Sequence, residues 1–136
     1  MVKNGLFVFR RDLRIDDNMA LYNATKQCDN LFTCFIFTPE QVGKSNAYRS
    51  NNSIQFMMDS LADLASEIQT TGGGLNTFYG KNVYIIRNLI KVLNIDTIYF
   101  NRDYTPYALI RDDEIVKMCV KMGVECSMYQ DYYLYE

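Results

Sequence analysis

Residues 5–21 read GLFVFRRDLRIDDNMAL. The first five, Gly5 to Phe9, are an uninterrupted apolar run, the pattern of a short strand buried on both faces of a parallel sheet. A charged turn follows, in which Arg10, Arg11, Asp12, Arg14, Asp16 and Asp17 crowd together. The spacing then predicts a helix over Asn18–Gln27, with Asp17 or Asn18 as N-cap. Acids before a helix suit its positive amino end, and the arginines can pair with them. This strand–turn–helix unit lacks the glycine pattern of a dinucleotide-binding fingerprint, which argues against a nicotinamide site of that kind.

The same alternation continues outward from that unit. Leu31–Phe37 (LFTCFIF) is a second buried strand, and the polar stretch Glu40–Asn51 carries no clear element. Ile54, Met57, Met58, Leu61, Leu64, Ala65 and Ile68 recur at three- and four-residue spacing, so they form one apolar helix face. Gly72, Gly73 and Gly74 end that helix. They follow a helix and precede a strand, the reverse of the order a phosphate loop needs, so they read as a turn. Leu75–Tyr79 is a third strand, and Val83, Ile86, Ile90 and Leu93 mark the next helix. Asp96–Phe100 is a fourth strand. Thr105 as N-cap and Pro106 in the first turn open a helix from about Tyr107 to Met122, closed by Gly123. Read locally, Arg111 and Asp112 are charges on the solvated face of that helix. Val124–Tyr129 is a fifth strand. Five strands separated by helices predict a doubly wound α/β fold: a parallel sheet, order 3-2-1-4-5, with helices on both faces. Ligands in such sheets sit beyond the carboxyl ends of the strands, where the strand order reverses. That places the candidate functional loops at Arg10–Asp17, Thr38–Asn52 and Asn101–Pro106.

Composition narrows the function classes. The chain has 136 residues, 49% apolar and 22% charged, which predicts one globular domain. A net charge of −2 argues against a broad basic nucleic-acid surface, so no direct DNA binding is expected. Cys28, Cys34, Cys119 and Cys126 have no CxxC spacing and the chain has no histidine, so free thiols in a reducing compartment are expected rather than a zinc site. The start reads as a strand rather than a signal peptide, and no apolar run approaches the roughly 20 residues of a membrane span. A cytoplasmic or nuclear location is the expectation.

Three stretches together resemble one known family. FRRDLRIDDNMAL, Phe9–Leu21, resembles the FRRDLRxxDNxAL opening of photolyases and cryptochromes. NRDYTPYALIRDDEI, Asn101–Ile115, is similar to their NxDxxPYxxxRDxxV, and NNSIQFMMDSLADL, Asn51–Leu64, to their NRxxFLxxSLxDL helix. The order and spacing cover nearly the whole chain. The resemblance implies the family's N-terminal, Rossmann-like α/β domain, which can hold a light-harvesting antenna, either a folate or a deazaflavin. In that family the FAD, the electron-transfer tryptophans and the lesion pocket lie in a following helical domain. FAD is therefore not expected on this chain, which has no tryptophan.

The resemblance also implies an antenna crevice, lined here by Arg11 and Asp12, by Phe35, Ile36 and Phe37, and by Asn101 and Asp103. No catalytic and no metal-binding residue is implied. Read from the residues alone, Phe35 and Phe37 are simply part of a buried strand. The chain departs from the family pattern at Thr38, where an acid often follows the second strand, and at Ser53, where an arginine is usual. Tyr107 and Ala108 replace the Asn-Glu pair that contacts folate, so a deazaflavin or flavin antenna is the better expectation. The stop at Glu136 predicts a truncated or split photolyase/cryptochrome-like domain, not competent for DNA repair alone, whose partner is a separate helical FAD-binding segment. The alternative is a degenerate protein-interaction module without chromophore, pairing with itself as a homodimer or with another protein. An adenylating enzyme is disfavoured by the lack of histidine and of a phosphate loop.

Overall fold

The structure is a computed structural model that describes residues 2–10, 18–38, 51–70 and 74–129; within the third of these segments the side chains of 51–57 fall outside the description. The elements are β1 (Asn4–Phe9), α1 (Met19–Gln27), β2 (Asn30–Phe37), α2 (Asn51–Thr70), β3 (Leu75–Tyr79), α3 (Asn82–Leu93), β4 (Thr97–Asn101), α4 (Pro106–Met122) and β5 (Glu125–Tyr129). Each element expected from the sequence is present, with ends displaced by one residue at most among those compared above. The expectation for 40–51 falls largely on residues outside the description, as do Arg11–Asp17, Gly72 and Gly73.

The strands form one sheet in the order β3-β2-β1-β4-β5, and every pair is parallel. Side-chain alternation divides the core into two layers. Leu6, Val8, Cys34, Ile36, Ile98 and Phe100 point to one face, where Ile86 and Ile90 of α3 and Ile115, Met118 and Cys119 of α4 cover them. Phe7, Phe9, Phe35 and Tyr99 point to the other, under Ala20, Leu21 and Ala24 of α1 and Leu61, Leu64 and Ile68 of α2. Full burial of such a side chain contributes about 1.5–3 kcal/mol. Met58, expected on the apolar face of α2, is instead 49% exposed. It lies one position off the 61–64–68 stripe that meets the sheet.

Local chemistry sets the helix ends. Asn18 caps α1, its Oδ1 accepting from the Leu21 N–H at 3.1 Å. Thr105 caps α4 in the same way, accepting from the Ala108 N–H at 3.2 Å. Gly123, at φ 72°, ends α4 in the left-handed conformation, and the Val124 N–H reaches the Cys119 carbonyl at 2.9 Å. That geometry closes the last helical carbonyls at a position where a side chain would be strained. Among the described residues no helix is long and apolar enough to cross a membrane.

Candidate functional site

In the order 3-2-1-4-5 the crossovers reverse direction between β1 and β4, and the carboxyl ends of these strands open the crevice expected to hold ligands. β1 runs out at Arg10 and β4 at Asn101. Their side chains go to opposite faces and do different work.

Arg10 turns toward the α3/α4 layer. Its guanidinium lies 4.0 Å above the centre of the Phe100 ring, and Nη1 donates to Asp112 Oδ1 at 2.5 Å. Asp112 Oδ1 also accepts from Arg111 Nε at 3.3 Å. The Arg10 and Asp112 side chains are only 9% and 4% exposed. Asp112 is therefore not a solvated surface charge, and the expectation for it and for its half-buried neighbour Arg111 is corrected. Two cations converge on one buried carboxylate because Asp112 falls in the buried stripe Ala108, Asp112, Ile115, Cys119 of α4. A charged residue in an otherwise apolar stripe is the signal in the sequence that would have found it. Arg10 thus has a carboxylate partner 102 residues away; the acids of its own turn, with which the arginines are expected to pair, lie outside the described residues.

Asn101 turns toward the α1/α2 layer. Its Nδ2 donates to Asn18 Oδ1 at 2.6 Å, and its Oδ1 accepts from the Ala20 N–H at 3.1 Å. Asn101 thus ties the end of β4 to the amino end of α1. It is 6% exposed and Asn18 2%. The two side chains satisfy first-turn N–H groups that no intrahelical carbonyl can reach.

The expected crevice residues divide accordingly. Arg11 and Asp12 lie outside the described residues. Phe35 is buried in the α1/α2 layer, edge-on to Phe37 with centroids 4.9 Å apart. Ile36 points to the opposite layer. Phe35, Phe37 and Asn101 share a face, and Ile36 does not, because consecutive strand residues alternate. Asp103 is half-buried, and its Oδ1 accepts from the Thr105 N–H at 3.3 Å, bracing the turn into α4.

A second concavity lies on the α3/α4 side of the same edge. It is open to solvent, with a cavity volume of about 120 Å³, between Thr38 at the end of β2, Lys81 and Tyr84 at the start of α3, and Tyr107, Arg111 and Glu114 on α4. None of its aromatic or cationic residues belongs to the expected crevice.

Two thiols are raised, while a hydrogen bond with Cys126 pulls Cys119 down. Burial pushes Cys34 up from 9.0 to about 12, opposed only in part by the positive charge of Arg10. Cys126 is pushed up by its hydrogen bond with Cys119 and by burial. Among the described residues no group of three His, Cys, Asp or Glu side chains is placed to hold a metal ion. The described edge presents the half-buried Phe37 ring beside guanidinium and amide groups that are engaged with Asp112, Asn18 and Ala20.

The model of the DNA photolyase family matches residues 6–136. Cryptochrome-1 of Anopheles gambiae is 36% identical over 134 residues, covering 93% of this chain and 24% of that protein. Cryptochrome-2 of Arabidopsis thaliana is 34% identical over 137 residues, covering 100% of this chain and 22% of that protein. Among solved structures, an archaeal photolyase from Sulfolobus tokodaii, described with two FAD molecules and as implying a novel light-harvesting cofactor, superposes with a TM-score of 0.89 at 38% identity, over 96% of this chain and 30% of that one. The chain spans about a quarter of the length of the curated relatives it matches.

Proposed function

The chain belongs to the DNA photolyase family, and from that premise we propose that it is the antenna-type α/β domain of a light-driven flavoprotein, binding a flavin or deazaflavin that harvests light. The catalytic FAD and any DNA lesion are left to a helical segment of the same family with which this domain works. The single observation that carries the reading is the likeness to the Sulfolobus tokodaii photolyase, whose two FAD molecules are taken to imply a light-harvesting role for a cofactor.

The chemistry of the sheet edge supports it. The half-buried ring of Phe37 gives a planar ligand a surface to stack on, and Asp103 gives its ring N–H groups a carboxylate acceptor. Asn101 does not meet the ligand in this reading. It holds the amino end of α1 in place and so fixes one wall. When bound, the chromophore supplies absorption of light and transfer of the excitation. The protein residues bind it, orient it and keep water from it.

A second reading is favoured by the exposed apolar surface of α3 and α4, where Tyr84, Ile110 and Val120 are 54%, 67% and 75% exposed. It makes the domain a protein-interaction module with no chromophore. Thermal-shift and absorbance measurements against a deazaflavin, FMN, FAD and a methenyl folate separate the two. The antenna reading expects stabilisation and a shifted spectrum with a flavin-type ring and neither with the folate. A folded chain that responds to none of the four leaves only the interaction module.

A further inference from the structure

We propose that the exposed face of α3 is a docking surface for single-stranded nucleic acid, with Lys81, Arg87 and Lys91 on the phosphates and Tyr84 stacked on a base. The inference goes beyond the antenna reading. It uses the opposite layer of the domain from Phe35 and Phe37 and involves no chromophore.

The face follows from the helix period. Ile86 and Ile90 of α3 are buried against the sheet, while Tyr84, Arg87, Asn88 and Lys91 are exposed on the other side. At 3.6 residues per turn those four occupy roughly 100° of arc. Lys81, also exposed, precedes them at the N-cap. From Lys81 to Lys91 the surface runs about 15 Å at the rise of an α-helix.

This face is positive on a chain whose net charge is −2. Residues 68–95 contain Lys81, Arg87 and Lys91 and no Asp or Glu. Among the described residues none of these three cations has an ion-pair partner, whereas Lys117 on α4 pairs with Asp113 at 2.9 Å. Asp96, the first acid after α3, accepts from the Asn4 N–H at 2.9 Å. Glu114 of α4 is the one carboxylate lining the concavity at the Lys81 end. The overall charge argues against a broad basic surface, and this one is a single helix face.

The spread of the cations decides what covers them. One phosphate or carboxylate cannot meet charges spaced over about 15 Å. A polyanion that repeats its charge along an extended chain meets all three. The ring then selects among polyanions. Tyr84 is 54% exposed, and its ring centre lies 5.8 Å from Lys81 and 5.7 Å from Arg87. An open ring set between cations is how proteins hold single strands: the phosphates follow the charges and a base stacks on the ring. A duplex keeps its bases stacked on one another, and polyphosphate or polyglutamate has no ring to offer Tyr84.

The test titrates a fluorescent oligothymidylate of about twelve nucleotides, within the range of single-strand site sizes, with the purified chain. Anisotropy is read from about 50 to 200 mM salt. Three phosphate contacts on a single strand give a salt slope of about −2, a loss on the order of ten-fold over that range. Arg87→Gln with Lys91→Gln brings the slope to about −0.7. Tyr84→Ala weakens binding on the order of ten-fold at every salt concentration and leaves the slope as it is. These residues are exposed, and circular dichroism checks each fold. Lys26→Gln, on α1 at the other face of the sheet, also removes a cation beside a tyrosine ring and changes neither quantity. Absence of binding at the lowest salt, or a slope unmoved by the double variant, overturns the surface. Tyr84→Ala without effect overturns the single-strand assignment. So does a duplex, polyphosphate or polyglutamate that displaces the probe as well as unlabelled oligothymidylate does. None of these outcomes bears on flavin titrations, so the antenna reading stands or falls separately.

Discussion

Asp112→Ala tests whether the buried ion pair organises the strand-reversal edge. The Arg10 guanidinium is 9% exposed, sits on Phe100 and donates to a carboxylate that is 4% exposed. A solvent-exposed pair contributes about 0–1 kcal/mol, because water screens it. Removing one partner of a buried pair leaves the other charge desolvated and costs about 3–5 kcal/mol. The burial on both sides puts Asp112→Ala in the second class, a fifth or more of a total stability on the order of 5–15 kcal/mol. With a urea slope of roughly 1–3 kcal/mol/M, the unfolding midpoint falls by about 2 M, read by far-ultraviolet circular dichroism. The double mutant Arg10→Met, Asp112→Leu replaces both charges with apolar volume and recovers much of the loss, giving a coupling energy of about 2 kcal/mol or more. A single-mutant cost below about 1 kcal/mol, with additive behaviour in the double, would refute the reasoning and return Asp112 to the class of surface charges.

Three other outcomes follow from particular contacts. Gly5→Ala places a Cβ against Cys28 Sγ, with Tyr99 Cε1 at 3.1 Å and Leu31 Cδ1 at 3.3 Å, so it destabilises by about 1–3 kcal/mol in the same urea assay; a neutral effect would mean that the β1–α1 packing yields freely. Asn101→Ala strips the Ala20 N–H of its acceptor and Asn18 of its donor, costing about 1–3 kcal/mol and loosening amide-exchange protection at the start of α1 before that of β1; unchanged protection there would count against the clamp. Cys34, raised from 9.0 to about 12, binds its proton more tightly folded than unfolded, so its contribution is complete below about pH 9 and is lost as pH rises toward 12. Urea midpoints from pH 8 to 10.5 should fall, and Cys34→Ala should flatten the fall; an equal slope in the variant would place its source elsewhere, for instance in Tyr99, which is raised in the same direction by burial.

The fold was legible because its determinants are local. Apolar runs such as Gly5–Phe9 and Leu31–Phe37 are dictated by burial on both faces of a parallel sheet, and the stops at Thr105 and Gly123 are written in cap chemistry. The site was only partly legible. The family resemblance lines one crevice with Phe35, Ile36 and Phe37, yet the strand period of two sends Ile36 to the other layer. Asn101 has the residue type of a ligand contact, but its amide groups are engaged with Asn18 and Ala20. Asp112 looked like a surface charge because helix 106–122 is amphipathic only weakly, with charges on nearly every side; its partner Arg10 lies in another element, beyond any local pattern. The concavity at Lys81, Tyr84, Tyr107 and Arg111 joins the starts of two different helices, and nothing in either helix alone marks it.

Flavin fluorescence anisotropy tests whether this photolyase-family domain holds a light-harvesting chromophore. FAD, FMN and a deazaflavin are titrated with the purified, folded chain. An antenna domain gives a saturable rise in anisotropy for at least one of them, at one ligand per chain and with Kd on the order of micromolar. Flat titrations for all three, with the chain folded by circular dichroism throughout, would contradict it.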